Sequence, residues 1–288
     1  MAFRLRRSRP VPKEIARAAR DELKRVGKWL AEPLDDGDES IHQLRVGMKR
    51  LRALLLLIRE PMGEPAYRAG QAGCKALADR YAGSRDASVG LALLADLLLS
   101  AHDPEQRVRI RTGFERALPA AAAASPPLDA AVEQLTQMRR QVRGWPIGPL
   151  RLRHLRDRLE RQYRRASRLN RQVRADDAMA LMHDWRKVVK QLLYQLDLLA
   201  GGGDEKLRTR LQRLGSRLGE LHDLDMLELQ VESRAERFWL DDRLLLRRLI
   251  QQRRTSLRAR ALRLGDKVFA PKPKPFVRAR FERWQRSR

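Results

Sequence analysis

The chain has 288 residues, 43% hydrophobic and 34% charged, and its 62 Lys and Arg against 36 Asp and Glu leave a formal charge of +26. This mixture suits amphipathic helices around a sizeable core better than it suits a disordered polymer or a membrane protein. A single cysteine, Cys74, excludes an intrachain disulfide framework and a zinc site of several thiolates.

The N-terminal stretch Met1-Ala2-Phe3-Arg4-Leu5-Arg6-Arg7 is basic, but Pro10 and Pro12 arrive before any apolar run, so no secretory signal is expected. With the lone cysteine, this makes a reducing cytoplasm the expected location. Apolar residues at three- and four-residue spacing, Pro/Gly breaks and few β-branched runs predict an all-α chain. The first helices are expected over 13–31, 39–59, 66–81, 86–101, 104–118 and 128–142. The apolar runs 54–58 and 89–99 are short for a bilayer, and Asp96 interrupts the second, so no membrane span is expected. Pro and Ala dominate 119–127, a plain connector. Gly144-Trp145-Pro146 with Gly148-Pro149 is the expected boundary between two halves, 1–145 and 146–270. The second half predicts helices over 151–173, 177–200, 205–218, 221–237 and 243–264. The tail, 271–288, reads as a stiff Pro/Lys connector before an aromatic-basic segment that either packs on the body or reaches a ligand.

Two stretches repeat one arrangement, Ile41-His42-Gln43-Leu44-Arg45-Val46-Gly47-Met48-Lys49-Arg50-Leu51-Arg52 and Met182-His183-Asp184-Trp185-Arg186-Lys187-Val188-Val189-Lys190. In each, a histidine is followed by cations at i+3 and i+7, which fall within about 60° of it on a helix. Grouping like charges in this way costs repulsion that scattering would avoid, so a polyanion is the partner to consider first. Acidic residues precede both helices, Asp35, Asp36 and Asp38 in one and Asp176 and Asp177 in the other, where carboxylates suit helix starts. A second element follows each stripe at similar distance. Ala82-Gly83-Ser84-Arg85-Asp86 aligns with Gly219-Glu220-Leu221-His222-Asp223, pairing Arg85 with His222 and Asp86 with Asp223.

His-x-x-Arg-x-x-x-Lys followed by a Gly-x-x-Arg-Asp-like turn, all twice, resembles the CHAD family of conserved-histidine α-helical domains. The resemblance implies two four-helix bundles with pseudo-two-fold symmetry and accessory helices, around a basic central surface that binds inorganic polyphosphate without catalysis. It also implies association with polyphosphate granules. Carried over residue by residue, the pattern places His42, Arg45, Lys49 and Arg52 on one binding helix and His183, Arg186 and Lys190 on the other, with Arg50 and Lys187 beside them. Leu193 stands where the first stripe has Arg52, and Ala82 where the second half keeps Gly219.

The residue types fit this chemistry, since guanidinium offers paired planar donors to phosphate and ammonium a compact charge. Arg85 and His222 either join the site or serve the local turn. Asp86 and Asp223 suit helix capping or pairing with arginine better than contact with a polyanion. Arg210, Arg213 and Arg217 form a further cationic row and are secondary contacts. Trp185 and Tyr194 are expected in the core.

Nucleic acid is the alternative partner, though 5% aromatic content offers little to stack bases. A phosphoanhydride hydrolase or phosphotransferase using a histidine is the second alternative. It lacks a P-loop and an acidic cluster for magnesium, so no cofactor, metal or catalytic residue is assigned. The sequence leaves oligomeric state open.

Overall fold

A computed structural model describes residues 3–6, 9–32, 37–81, 83–117, 127–199 and 205–286, with the side chains at 37, 38, 83–88 and 117 outside the description. The described residues form twelve α-helices and no strand. In chain order these are α1 (Val11–Ala31), α2 (Gly37–Leu57), α3 (Arg59–Met62), α4 (Glu64–Arg80), α5 (Gly83–Leu98), α6 (Pro104–Ala117) and α7 (Leu128–Gln141). They continue with α8 (Leu152–Ala175), α9 (Met179–Leu198), α10 (Glu205–Glu232), α11 (Leu240–Phe269) and α12 (Pro273–Arg286).

The periodicity that predicts these helices also decides their buried faces. In α1, Ile15, Ala18, Leu23, Val26 and Leu30 recur at helical spacing and are buried against α2 and α7. In α8, Leu155, Leu159, Tyr163, Ala166 and Val173 are buried while Arg153, Arg156, Arg164, Arg165 and Arg168 face outward. The apolar run 54–58 is entirely buried at the end of α2. Cys74 is buried in α4, and burial pushes its thiol up to about 12, which keeps it protonated and inert. One apolar cluster runs through all these helices, from Phe3 and Leu5 to Phe281 and Trp284.

Two helices meet at the centre. α2 packs on α1, α4 and α9, and α9 packs on α2, α8 and α10. Gln195 Nε2 on α9 donates to the Ala53 carbonyl of α2 (3.2 Å), a buried tie that satisfies the donor side of its amide. Gly47 allows α1 and α2 to approach closely, because a Cβ there would stand 2.3 Å from Val26 Cγ2.

Three expectations are corrected. The predicted break at 219 does not occur: α10 is one helix from Glu205 to Glu232, because Leu211, Leu214, Leu218, Leu221, Leu224 and Leu227 keep its apolar seam continuous through Gly219. A single interior glycine, unfavourable by about 1 kcal/mol, is outweighed by that packing. The tail is not an extended connector, since α12 begins at Pro273, where a proline in the first turn sacrifices no helical hydrogen bond. It lies on α8, with Phe276 stacked on Tyr163 (4.0 Å between centroids) and Trp284 Nε1 donating to Leu5 O (3.4 Å). The expected capping of the second repeated helix by an aspartate also differs. Asp176 accepts the Ala178 N–H (2.9 Å) in a turn ahead of α9, whose own cap, Ala178, makes no side-chain hydrogen bond. Asp35, Asp36 and the Asp38 side chain lie outside the described residues.

Candidate functional site: the α2–α9 seam

The two histidine-led rows ride on the two helices that meet at the centre. Two residues after each histidine comes a large buried side chain, Leu44 on α2 and Trp185 on α9, both fully buried. These anchors set the level of the rows: His42, Arg45, His183, Arg186 and Lys190 are half-buried, while Lys49 is exposed.

The charges interact across the seam. Burial lowers the Arg186 pKa most; Asp223 on α10 opposes this, and Arg45 on α2 adds to the lowering, so cations of α2 and α9 share one neighbourhood. Arg186 Nε is buried and has no hydrogen-bond partner among the described residues. Lys190 is lowered by burial and then by Arg186, again opposed by Asp223. Tyr194, one turn further on, is buried as expected and its phenol is pushed up by burial, next to Arg50 and Arg186.

α10 completes this side. The His183 and His222 rings stack with centroids 5.1 Å apart and planes 8° apart. Burial, then Lys187 and Arg186, hold the His183 pKa below its ordinary value, with Asp184 and Asp225 opposing. Two turns before His222, Gly215 makes room for Lys190: a Cβ there would lie 3.2 Å from Lys190 Cε and 3.3 Å from Cδ. Asp223 sits within α10, so it caps no helix start, and its charge acts on Arg186 and Lys190 instead.

Other candidate residues fall elsewhere. Arg50 reaches Glu22 on α1 (3.2 Å), a carboxylate only 1% exposed that Arg25 also contacts. Arg52 turns to α4, where its Nε donates to Gln71 Oε1 (2.8 Å) and its carbonyl accepts from Gln71 Nε2 (2.9 Å). Lys187 is exposed beside Asp184. Arg210 and Arg213 are exposed, and Arg217 pairs with Glu220 (2.7 Å). Ala82 and the Arg85 and Asp86 side chains lie outside the described residues. His154 serves structure, its Nδ1 accepting the Arg151 N–H (3.0 Å) at the start of α8. Sequence reasoning missed Gly215; its signal was a glycine two helical turns before a motif histidine.

Among the described residues, no group of three or more His, Cys, Asp or Glu side chains is arranged to hold a metal ion, and no helix is long and apolar enough to cross a membrane. The fold and seam therefore define an all-helical protein in which duplicated His/Arg/Lys rows are packed at a central helix pair. The family model for the CHAD domain matches residues 14–228, and the chain belongs to that family. No curated protein matches the chain. Both α11 and α12 lie beyond the matched residues.

Proposed function

We propose that this protein binds inorganic polyphosphate, without transforming it, along the α2–α9 seam. Family membership supports the ligand class. The observation that carries the reading is the shared environment of Arg45, Arg186 and Lys190. The Arg186 and Lys190 cations are held together although burial disfavours both, Arg45 adds to the lowering at Arg186 and Arg186 to that at Lys190, while Asp223 acts in the opposite direction on each. A bound polyanion acts in the same direction as Asp223.

In this reading Arg45 and Arg186 orient phosphoryl oxygens through their planar forks, Lys190 and Lys49 add field, and His42 and His183 contact the chain as imidazolium. Arg50, Arg52, Lys187, Arg210, Arg213 and Arg217 contribute attraction from outside the seam rather than direct seating. The halves form two four-helix bundles related by a pseudo-two-fold axis, which lets one flexible chain meet equivalent rows in succession. A cytoplasmic protein of this kind would attach to polyphosphate granules.

Competition between long-chain polyphosphate and single-stranded DNA, at equal phosphate concentration and fixed salt, tests the assignment. Polyphosphate should be retained; stronger retention of DNA would overturn it. Sustained shortening of the chain by purified protein with magnesium, lost in H42Q or H183Q, would replace binding with catalysis.

A further inference from the structure

We propose that the cleft between α10 and α11 is a second anion site, shaped for a compact cluster of phosphoryl groups such as a triphosphate. The cleft has a volume of about 450 Å³ and is lined by Arg213, Ser216 and Arg217 from α10 and by Arg260, Arg263 and Lys267 from α11. Its size lies within the range of about 300–1,000 Å³ usual for small-ligand sites. Among the described residues, no carboxylate lines it.

Pairing along this helix interface changes where the cleft opens. Nearer the α10–α11 turn, Arg243 and Arg247 pair with Glu232, and Arg254 pairs with Asp225 and Glu228, all acids of α10. Arg253 pairs with Asp96 of α5. In the cleft, Arg217 has Glu220, but among the described residues Arg213, Arg260, Arg263 and Lys267 have no carboxylate within 4.0 Å. The α11 macrodipole accounts for a cation in its last turn, Lys267, but not for Arg260 and Arg263 further back. Among the described residues these five converging cations have one acid partner, and the field they leave is one that a multiply charged anion neutralises.

The lining also restricts the ligand. Guanidinium forks and the Ser216 hydroxyl suit phosphoryl oxygens, and no aromatic side chain lines the cleft to stack a base. The site is separate from the seam. Gly215 faces Lys190, and Arg213 and Arg217, two residues to either side of it, point about 200° away around the helix. Three of the lining cations lie beyond the family-matched residues. The inference does not rest on the polyphosphate reading of the seam.

Calorimetric titration of the full chain with tripolyphosphate tests it. The seam variant R186Q/K190Q should keep one tripolyphosphate site, and adding R260E/R263E should weaken that site at least about tenfold, whereas adding R260K/R263K should preserve it. The opposite-charge and conserved-charge pairs together separate loss of the field from loss of fold. ATP should bind no more tightly than tripolyphosphate, and tighter ATP binding would overturn the ligand class. No binding to R186Q/K190Q, or unchanged binding after R260E/R263E, would remove the cleft site. Long-chain polyphosphate binding by the wild-type seam would survive that result.

Discussion

The His183 and His222 rings lie stacked at 5.1 Å, joining the second histidine-led row to the helix behind it. Burial, Lys187 and Arg186 disfavour the imidazolium of His183 in the unliganded protein, despite Asp184 and Asp225. Under the proposed function a phosphate bound beside the ring would reverse that balance, so that binding would take up a proton. Polyphosphate affinity should therefore rise as pH falls from 8 to 6, by up to about tenfold for each unit of pKa separation between free and bound states. Titrations at fixed ionic strength check this, and an unchanged pH profile in H42Q/H183Q would remove the histidines from the site.

The same group affects stability with the opposite sign. Its folded-state pKa is depressed, so the unfolded chain takes up its proton first as the pH falls through the ordinary histidine value. Stability should decline from that value down towards the lower folded-state pKa. In H183Q the part of the acid-side loss due to this residue should disappear, as read by urea unfolding between pH 7 and 5.

Arg186 and Lys190 are held partly buried beside one another. Replacing both with methionine keeps much of their volume and removes the desolvation and repulsion. R186M/K190M should leave unfolding free energy unchanged or raise it by about 1 kcal/mol, although Asp223 loses the favourable charge of these two cations. Polyphosphate affinity should fall at least about tenfold. Calorimetry paired with chemical denaturation separates the two effects, and a parallel loss of stability and affinity would make these residues part of the scaffold.

At Gly215 an added methyl meets the flexible end of Lys190 rather than backbone. G215A should therefore be neutral to stabilising by up to about 1 kcal/mol through helix propensity. It should also displace the ammonium and weaken polyphosphate binding. A thermal melt and a binding titration on one preparation read both outcomes.

Gly47 behaves differently, because its added Cβ would overlap Val26 Cγ2 in the α1–α2 contact. G47A should destabilise the fold by about 1–3 kcal/mol, as overpacking does, visible as a lowered denaturation midpoint with an unchanged slope.

The all-α class, most helix bodies and the two matched rows were legible in the sequence, because spacing of 3.6 residues per turn is a local property that His42, Arg45 and Lys49 carry wherever their helix docks. Their relation to His183, Arg186 and Lys190 was a matter of tertiary packing. Whether α2 meets α9 depends on contacts such as Gln195 to Ala53, made between residues far apart in the chain. Gly219 read as a break because local propensity cannot weigh the leucine seam that carries α10 through it, and the tail prolines read as a connector because their docking on Tyr163 is remote in sequence. The same limit sorted the cations. Arg50, Arg52 and Arg186 share one charge and one kind of helix. Only the neighbours brought by folding, a buried carboxylate, a glutamine and another cation respectively, decided which secures a helix and which joins the candidate site.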